Sequence, residues 1–231
     1  MISVSNLTKE YNDVRVVQIE ALRVATGESF GLVGNNGAGK TTLFRMHLDL
    51  VRPTTGVVCF KNENVQTNSD WKRYCGSYLD EGFLIPYLTP DEYFSFVGEL
   101  HGYDAEDLKI ALQPFEDFLS GEIIGKKKYI RNLSKGNMKK VGIVAALLSQ
   151  PELVILDEPF ENLDPTSQIR LKDLIVGART HRNTTFLISS HDLNHATDIC
   201  SRIVLMEKGK IINDMKGGQE ALAVLENYFK T

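Results

Sequence analysis

This 231-residue sequence predicts an α/β fold: a core with a mostly parallel sheet, an antiparallel β region at the N-terminal end, and an inserted helical lobe. Three observations carry that expectation. Continuous apolar runs, "LVIL" at 153–156 and "FLIS" at 186–189, alternate with segments of helical spacing, as do strands buried on both faces. The first thirty residues instead carry β-branched side chains in partial alternation, the period of half-buried strands. From Thr89 to about Ser120 the pattern changes to a helical one with no strand signal.

Each element follows in order. "ISVSNLT", "VRVVQIEALRV" and "ESFGLVG" read as the opening strands. "TTLFRMHLDLV" reads as a helix with Leu43, Met46, Leu50 and Val51 on one face. "GVVCF" and "YCGSYL" are short strands. "TPDEYFSFVGELHG" and "DAEDLKIALQPFEDFLS" are helices with Thr89 and Asp104 placed as N-caps. "NMKKVGIVAALLSQ" is a buried helix that stops before Pro151. "ELVILDE" is a buried strand, and "DPTSQIRLKDLIVGART" a helix with Pro165 in its first turn. "TTFLISSH" is a further buried strand, "RIVLMEKGKII" a hairpin turning at Gly209, and "GQEALAVLENYFK" a helical tail. One domain over 1–231 accommodates all of this, with a core from 1–82 and 146–231 and a helical lobe at 83–145.

Composition narrows the partners. A net charge of −4 with no long basic block argues against nucleic acid as a direct partner. The run Lys126–Lys127–Lys128 reads as a solvated loop. Cys59, Cys75 and Cys200 have no metal spacing and read as small core hydrophobes of a reducing compartment. The N-terminus lacks the basic start and long apolar run of a signal peptide, and no apolar run approaches a membrane span. The expectation is a soluble, cytosolic chain.

The chemistry begins at "GNNGAGKT", Gly34 to Thr41, which fits G-x-x-x-x-G-K-[ST] between a strand and a helix. Such a P-loop folds around an anion so that backbone N–H groups point inward, and the helix adds its positive N-terminal end. Lys40 reaches the β- and γ-phosphates and Thr41 holds Mg²⁺, which makes the core that of a P-loop NTPase. "LVILDE" places Asp157 and Glu158 at the exposed end of a buried strand, where neighbouring acids point apart. One then serves Mg²⁺ while the next faces the γ-phosphate as base for a water. "ISSH" ends at His191, which reaches the γ-phosphate if its strand lies beside that of Asp157. His47, His101, His181 and His195 have no comparable context and receive no role. "RNLSKGNMKKVG", Arg131 to Gly142, reads as a second helix N-terminus fit for an anion.

"GNNGAGKTTL", "LSKGN", "LVILDEP", "ENLDP" and "SSH", in this order and at these spacings, together resemble the ATP-binding cassette of ABC transporters over essentially the whole chain. The resemblance implies ATP and Mg²⁺ as cofactors and an ATPase beneath a separate transmembrane permease subunit, on the cytoplasmic face of the membrane. It implies a nucleotide cradle of Gly34, Asn35, Asn36, Gly37, Ala38, Gly39, Lys40, Thr41 and Thr42, with Tyr11 stacked on adenine. Glu158 matches the catalytic carboxylate, Asp157 the Mg²⁺-linked one, and His191 the switch histidine. Two cassettes of the family pair head to tail. Ser134 and Gly136 of one chain would then close on the γ-phosphate held by the other, and Asp164 would line the seam. The second cassette is an identical copy or a different one.

Two features depart from the family pattern. The segment reads "LSKGN", with Lys135 and Asn137 where Gly and Gln are commoner. At the family's Mg²⁺-linked glutamine stands Asp80, with Glu81 next, and which acid faces the metal is left open. These departures, with "IPYLTPDEYFSFVGELHG", resemble bacterial ABC-2-type exporter cassettes more than importer ones. The competing functions are a non-transport ABC ATPase on nucleic acid or ribosomes and a regulatory cassette with little turnover. Fewer than a hundred residues between Thr41 and Leu133, without sustained heptads, weigh against the first. Retained Lys40, Asp157, Glu158 and His191 weigh against the second.

Overall fold

The alternation of buried strands and helices builds two sheets in a computed structural model that describes residues 1–230. The first sheet is antiparallel, in the order β2 (Val14–Val24), β1 (Ile2–Tyr11), β4 (Thr55–Phe60), β5 (Glu63–Asn64). The second runs β10 (Lys210–Lys216), β9 (Arg202–Glu207), β3 (Ser29–Val33), β8 (Thr185–Ser190), β7 (Leu153–Leu156), β6 (Cys75–Tyr78). Every pairing from β9 to β6 is parallel, and only the β9–β10 hairpin at one edge is antiparallel.

The helices are α1 (Lys40–His47), α2 (Pro90–Leu100), α3 (Ala105–Leu112), α4 (Glu116–Leu119), α5 (Lys135–Leu148), α6 (Pro165–Arg182), α7 (Leu193–Ile199) and α8 (Gln219–Lys230). None is long and apolar enough to cross a membrane among the described residues. Thr89 and Asp104 cap α2 and α3 through reciprocal boxes with Glu92 and Asp107, and Pro165 opens α6, each satisfying donors that a helix start leaves unpaired. Between β6 and β7 the described chain forms no strand and carries α2 to α5, joined by turns and loops.

Strand alternation divides the interior in two. Phe30, Leu32, Leu153, Ile155 and Leu187 face the antiparallel sheet and α1, where Phe44, Phe60 and Trp71 complete one core. Val33, Val154, Leu156, Phe186 and Ile188 face α5 and α6 and the lobe residues Phe94 and Phe118 in the other. The central strands are therefore apolar on both faces, which is why they read as continuous runs. One helix is shorter than its spacing suggests. The segment after the P-loop leaves the helix at His47, Asp49 turns left-handed at φ 51°, and Leu50 is 49% exposed rather than on the buried face with Leu43 and Met46.

Candidate functional site

The parallel strands β3, β7 and β8 end side by side, and the residues just beyond them form the site. After β3 the chain turns through Gly34–Gly39 into α1. Gly39 caps that helix at φ 106°, and a Cβ there would stand 2.6 Å from the Val16 carbonyl oxygen, so only glycine fits between the loop and β2. The Lys40 side chain is 6% exposed and folds back over the loop, its ammonium donating to Gly34 O at 2.7 Å. Donors and the positive end of α1 thus surround one small volume.

From β7 come the two acids, and they part as neighbouring strand-end residues must. Asp157 Oδ2 accepts from the Thr41 hydroxyl at 2.5 Å, and its other oxygen accepts from the Ser189 hydroxyl. Burial pushes the Asp157 carboxyl above its ordinary value, against the pull of those two hydrogen bonds. Glu158 lies in left-handed backbone at φ 47°. Its Oε2 accepts from the His191 backbone N–H at 3.1 Å and from His191 Nδ1–H at 2.8 Å. Its Oε1 stands 3.4 Å from the Lys40 ammonium, an ion pair without hydrogen-bond alignment, and is otherwise buried without a partner among the described residues. With Oε2 held by His191 and Oε1 turned to the P-loop beside Lys40, the carboxylate is placed to accept a proton at Oε1. β8 does pair directly with β7, which brings His191 to Glu158.

Other expected residues lie apart from this cluster. Ser134 is exposed at the start of α5, where its Oγ accepts from Asn137 N–H at 3.2 Å. Gly136 packs on the Asn162 backbone, since a Cβ there would lie 2.6 Å from Asn162 O. Asp164 caps α6, accepting from Ser167 N–H at 3.0 Å and from its hydroxyl at 2.5 Å. Those hydrogen bonds hold its carboxyl down at about 2. Tyr11 ends β1 half-exposed, with the Lys9 ammonium 4.7 Å from its ring centre. Asp80 caps a short turn through Gly82 N–H at 2.8 Å and faces Arg45 at 3.5 Å; among the described residues it bonds neither Thr41 nor Asp157.

Four nearby residues escaped sequence reasoning. Ser189 ties Asp157 to the Glu158 backbone N–H, and its signal was a hydroxyl in an apolar strand. Lys139 and Lys140 are buried beneath the turn after β7, where the buried helix expected here gives no sign of what its two lysines would meet. His195 stacks on Phe160 with ring centres 4.6 Å apart, and burial lowers its pKa.

An ABC transporter family profile matches residues 18–161. YhaQ, an ABC transporter ATP-binding protein of Bacillus subtilis, is 33% identical over 91% of this chain and 69% of its own length. The bacitracin transport ATP-binding protein BcrA of Enterococcus faecalis is 32% identical over 93% of this chain and 69% of its own. The first relatives are spanned over between 65% and 76% of their lengths. Among solved structures, the dimeric ATP-binding cassette MJ0796 bound to ADP and Pi superposes with a TM-score of 0.84 at 23% identity, covering 94% of this chain and 98% of that one. An ATP-binding subunit of an ABC transporter gives the same score at 24% identity over all of this chain and 93% of that one. At such identities the likeness concerns the fold.

Proposed function

The chain belongs to the ABC transporter family as an ATP-binding subunit, and from that premise we propose that it binds and hydrolyses ATP as one half of a cassette pair driving a separate membrane permease. One observation carries the chemistry: the Lys40, Glu158 and His191 side chains converge beside the Thr41–Asp157 pair at the mouth of the P-loop. In this reading the backbone of Gly34–Thr42 cradles the phosphates and Lys40 neutralises the γ-phosphate. Glu158 accepts a proton from water as the water oxygen bonds to the γ-phosphorus and the P–O bond to ADP breaks. His191 keeps Glu158 aimed through Nδ1–H and turns Nε2 toward the phosphate, donating there when the ring carries both protons. Thr41 and Asp157 fit Mg²⁺, because both offer hard oxygen and a divalent charge offsets the burial that raises the Asp157 carboxyl. When bound, Mg²⁺ neutralises charge on the β- and γ-oxygens. Asp80 is proposed for the same ion from the turn after β6, where each carboxylate oxygen keeps a further lone pair beside its bond to Arg45 or Gly82.

Ser134 and Gly136 serve the nucleotide of the paired cassette, and Asp164 lines the seam between them. The exposure of Ser134 at the start of α5 and of Asp164 at the start of α6 supports this. Tyr11 stacks on adenine, supported by its half-exposed ring directly before the β1–β2 turn that leads toward Val16 and Gly39. A groove of about 400 Å³ lined by Tyr78, Phe83, Leu84, Tyr93 and Val97 receives the permease's cytoplasmic helices, and the likeness to bacitracin transport proteins favours export. The test is ATPase activity against protein concentration for the wild type and Glu158→Gln, with light scattering. Specific activity rising with concentration, together with an inactive variant that accumulates as an ATP-bound dimer, supports the reading. Activity independent of concentration in a persistent monomer overturns the shared site.

A further inference from the structure

Two consecutive lysines of α5 sit where lysines are rarely found. Lys139 is 5% and Lys140 4% exposed, and each ammonium is spent on the segment from Glu158 to Asp164. Lys139 Nζ donates to the Glu158 carbonyl at 2.6 Å and stands 3.9 Å from the Glu161 carboxylate. Lys140 Nζ lies 3.7 Å from Asp164 Oδ2 and donates to Ser120 Oγ at 3.4 Å. Between these two anchors, Gly136 packs on Asn162. The first turns of α5 therefore run along the whole segment that begins with the proposed base.

Burying an ammonium is costly unless hydrogen bonds compensate, so the groups that these lysines bond are what set their place here. What Lys139 holds is strained. Glu158 occupies left-handed backbone, a conformation that is unfavourable for a non-glycine residue and persists only where the surroundings fix it. Its carbonyl receives the Glu161 N–H at 3.3 Å besides Lys139, which closes the turn. Freeing that carbonyl would let the turn relax, and a change of φ at Glu158 from its left-handed value would redirect the side chain away from His191 and Lys40.

We propose that Lys139 is a positioning residue for Glu158: its ammonium locks the left-handed turn after β7, and so ties the aim of the proton-accepting carboxylate to the seating of α5. This deepens the hydrolytic reading given above and rests on it. Because Ser134 and Gly136 open the same helix, closure of a paired cassette on that helix start would be felt at Glu158 through a single ammonium. Lys139 touches no reacting atom and acts through the turn.

The test compares Lys139→Met, of similar length without donors, with Lys139→Gln, which keeps an N–H for the carbonyl. Turnover, KM for ATP and site-resolved amide hydrogen exchange are measured alongside a thermal melt. The expected result for Lys139→Met is a kcat at least tenfold lower with KM within twofold. Exchange at the His191 and Glu161 amides, both held by Glu158, should quicken at least fivefold, while the Gly34–Thr41 amides stay unchanged. Lys139→Gln should recover part of both effects, independently of its melting temperature. Unchanged exchange at His191 and Glu161 overturns the proposal whether or not the wild type turns over. A kcat that follows melting temperature in both variants also overturns it. A wild type without ATPase activity, but with the expected exchange pattern, keeps the positioning role and sinks the hydrolytic reading instead.

Discussion

Acidification should unfold this protein partly through one buried imidazole. His47 ends α1 fully inside the core, with ring centres 6.4 Å from Phe44 and 6.2 Å from Phe60. Its Nδ1 lies 2.8 Å from the Leu43 carbonyl, which can only accept, so the proton sits on Nδ1. Nε2 is buried with no hydrogen-bond partner among the described residues, and protonating it would place a charge among aromatic rings. Burial accordingly lowers the His47 pKa to about 4 from 6.5. Unfolded, the residue takes up its proton below 6.5; folded, only below about 4. Between these limits the unfolded state holds more protons, so stability falls as pH falls and is fully retained above 6.5. The gap from 6.5 to about 4, at roughly 1.4 kcal/mol per pH unit, is worth about 3 kcal/mol. That is a large share of the roughly 5–15 kcal/mol of a typical domain. Urea unfolding at constant ionic strength from pH 7.5 to 4 measures it, with His47→Leu as reference to subtract the carboxylates. The wild type should lose about 3 kcal/mol more than the variant over that range. Parallel curves would refute the burial argument.

The remaining predictions concern the site. Thr41→Val removes the hydroxyl shared with Asp157, so the Mg²⁺-dependent strengthening of nucleotide binding should fall at least tenfold in calorimetry, with metal-free binding unchanged. Asp164→Ala removes the cap of α6 and should cost about 1 kcal/mol in urea unfolding, whereas Asp164→Asn, itself a good cap, should cost less.

Much of the fold was legible because its signals are local. Thr89 and Asp104 announce α2 and α3 through acids three residues on, and Gly209 marks the β9–β10 turn. "LVIL" and "FLIS" are apolar on both faces because each strand has a core on either side. The end of α1 was not legible in the same way. Leu50 continues the helical spacing, yet Asp49 turns left-handed and both Leu50 N–H and Val51 N–H bond back to Arg45 O, a choice no periodicity records.

The site divides along the same line. The P-loop explains itself, since its glycines, lysine and threonine are contiguous and the turn they form fixes their directions. Asp157 and Glu158 could be placed at a strand end, and their divergence follows from the backbone. What aims Glu158 lies elsewhere in the chain: His191 after β8, and Lys139 on a helix nineteen residues upstream. Lysine reads as a solvated residue in any helix, and only the packing of α5 against the 158–164 segment turns Lys139 inward. Asp80 shows the converse. Its position after β6 makes it an expected metal ligand, but position does not set the direction of a carboxylate, which here follows the bonds from Arg45 and the Gly82 N–H. Sequence therefore locates the groups that do chemistry, and residues distant in the chain decide where those groups point. The strained turn at Glu158 is where that distinction is sharpest, because its geometry is held by a helix whose own start is proposed to meet a different nucleotide.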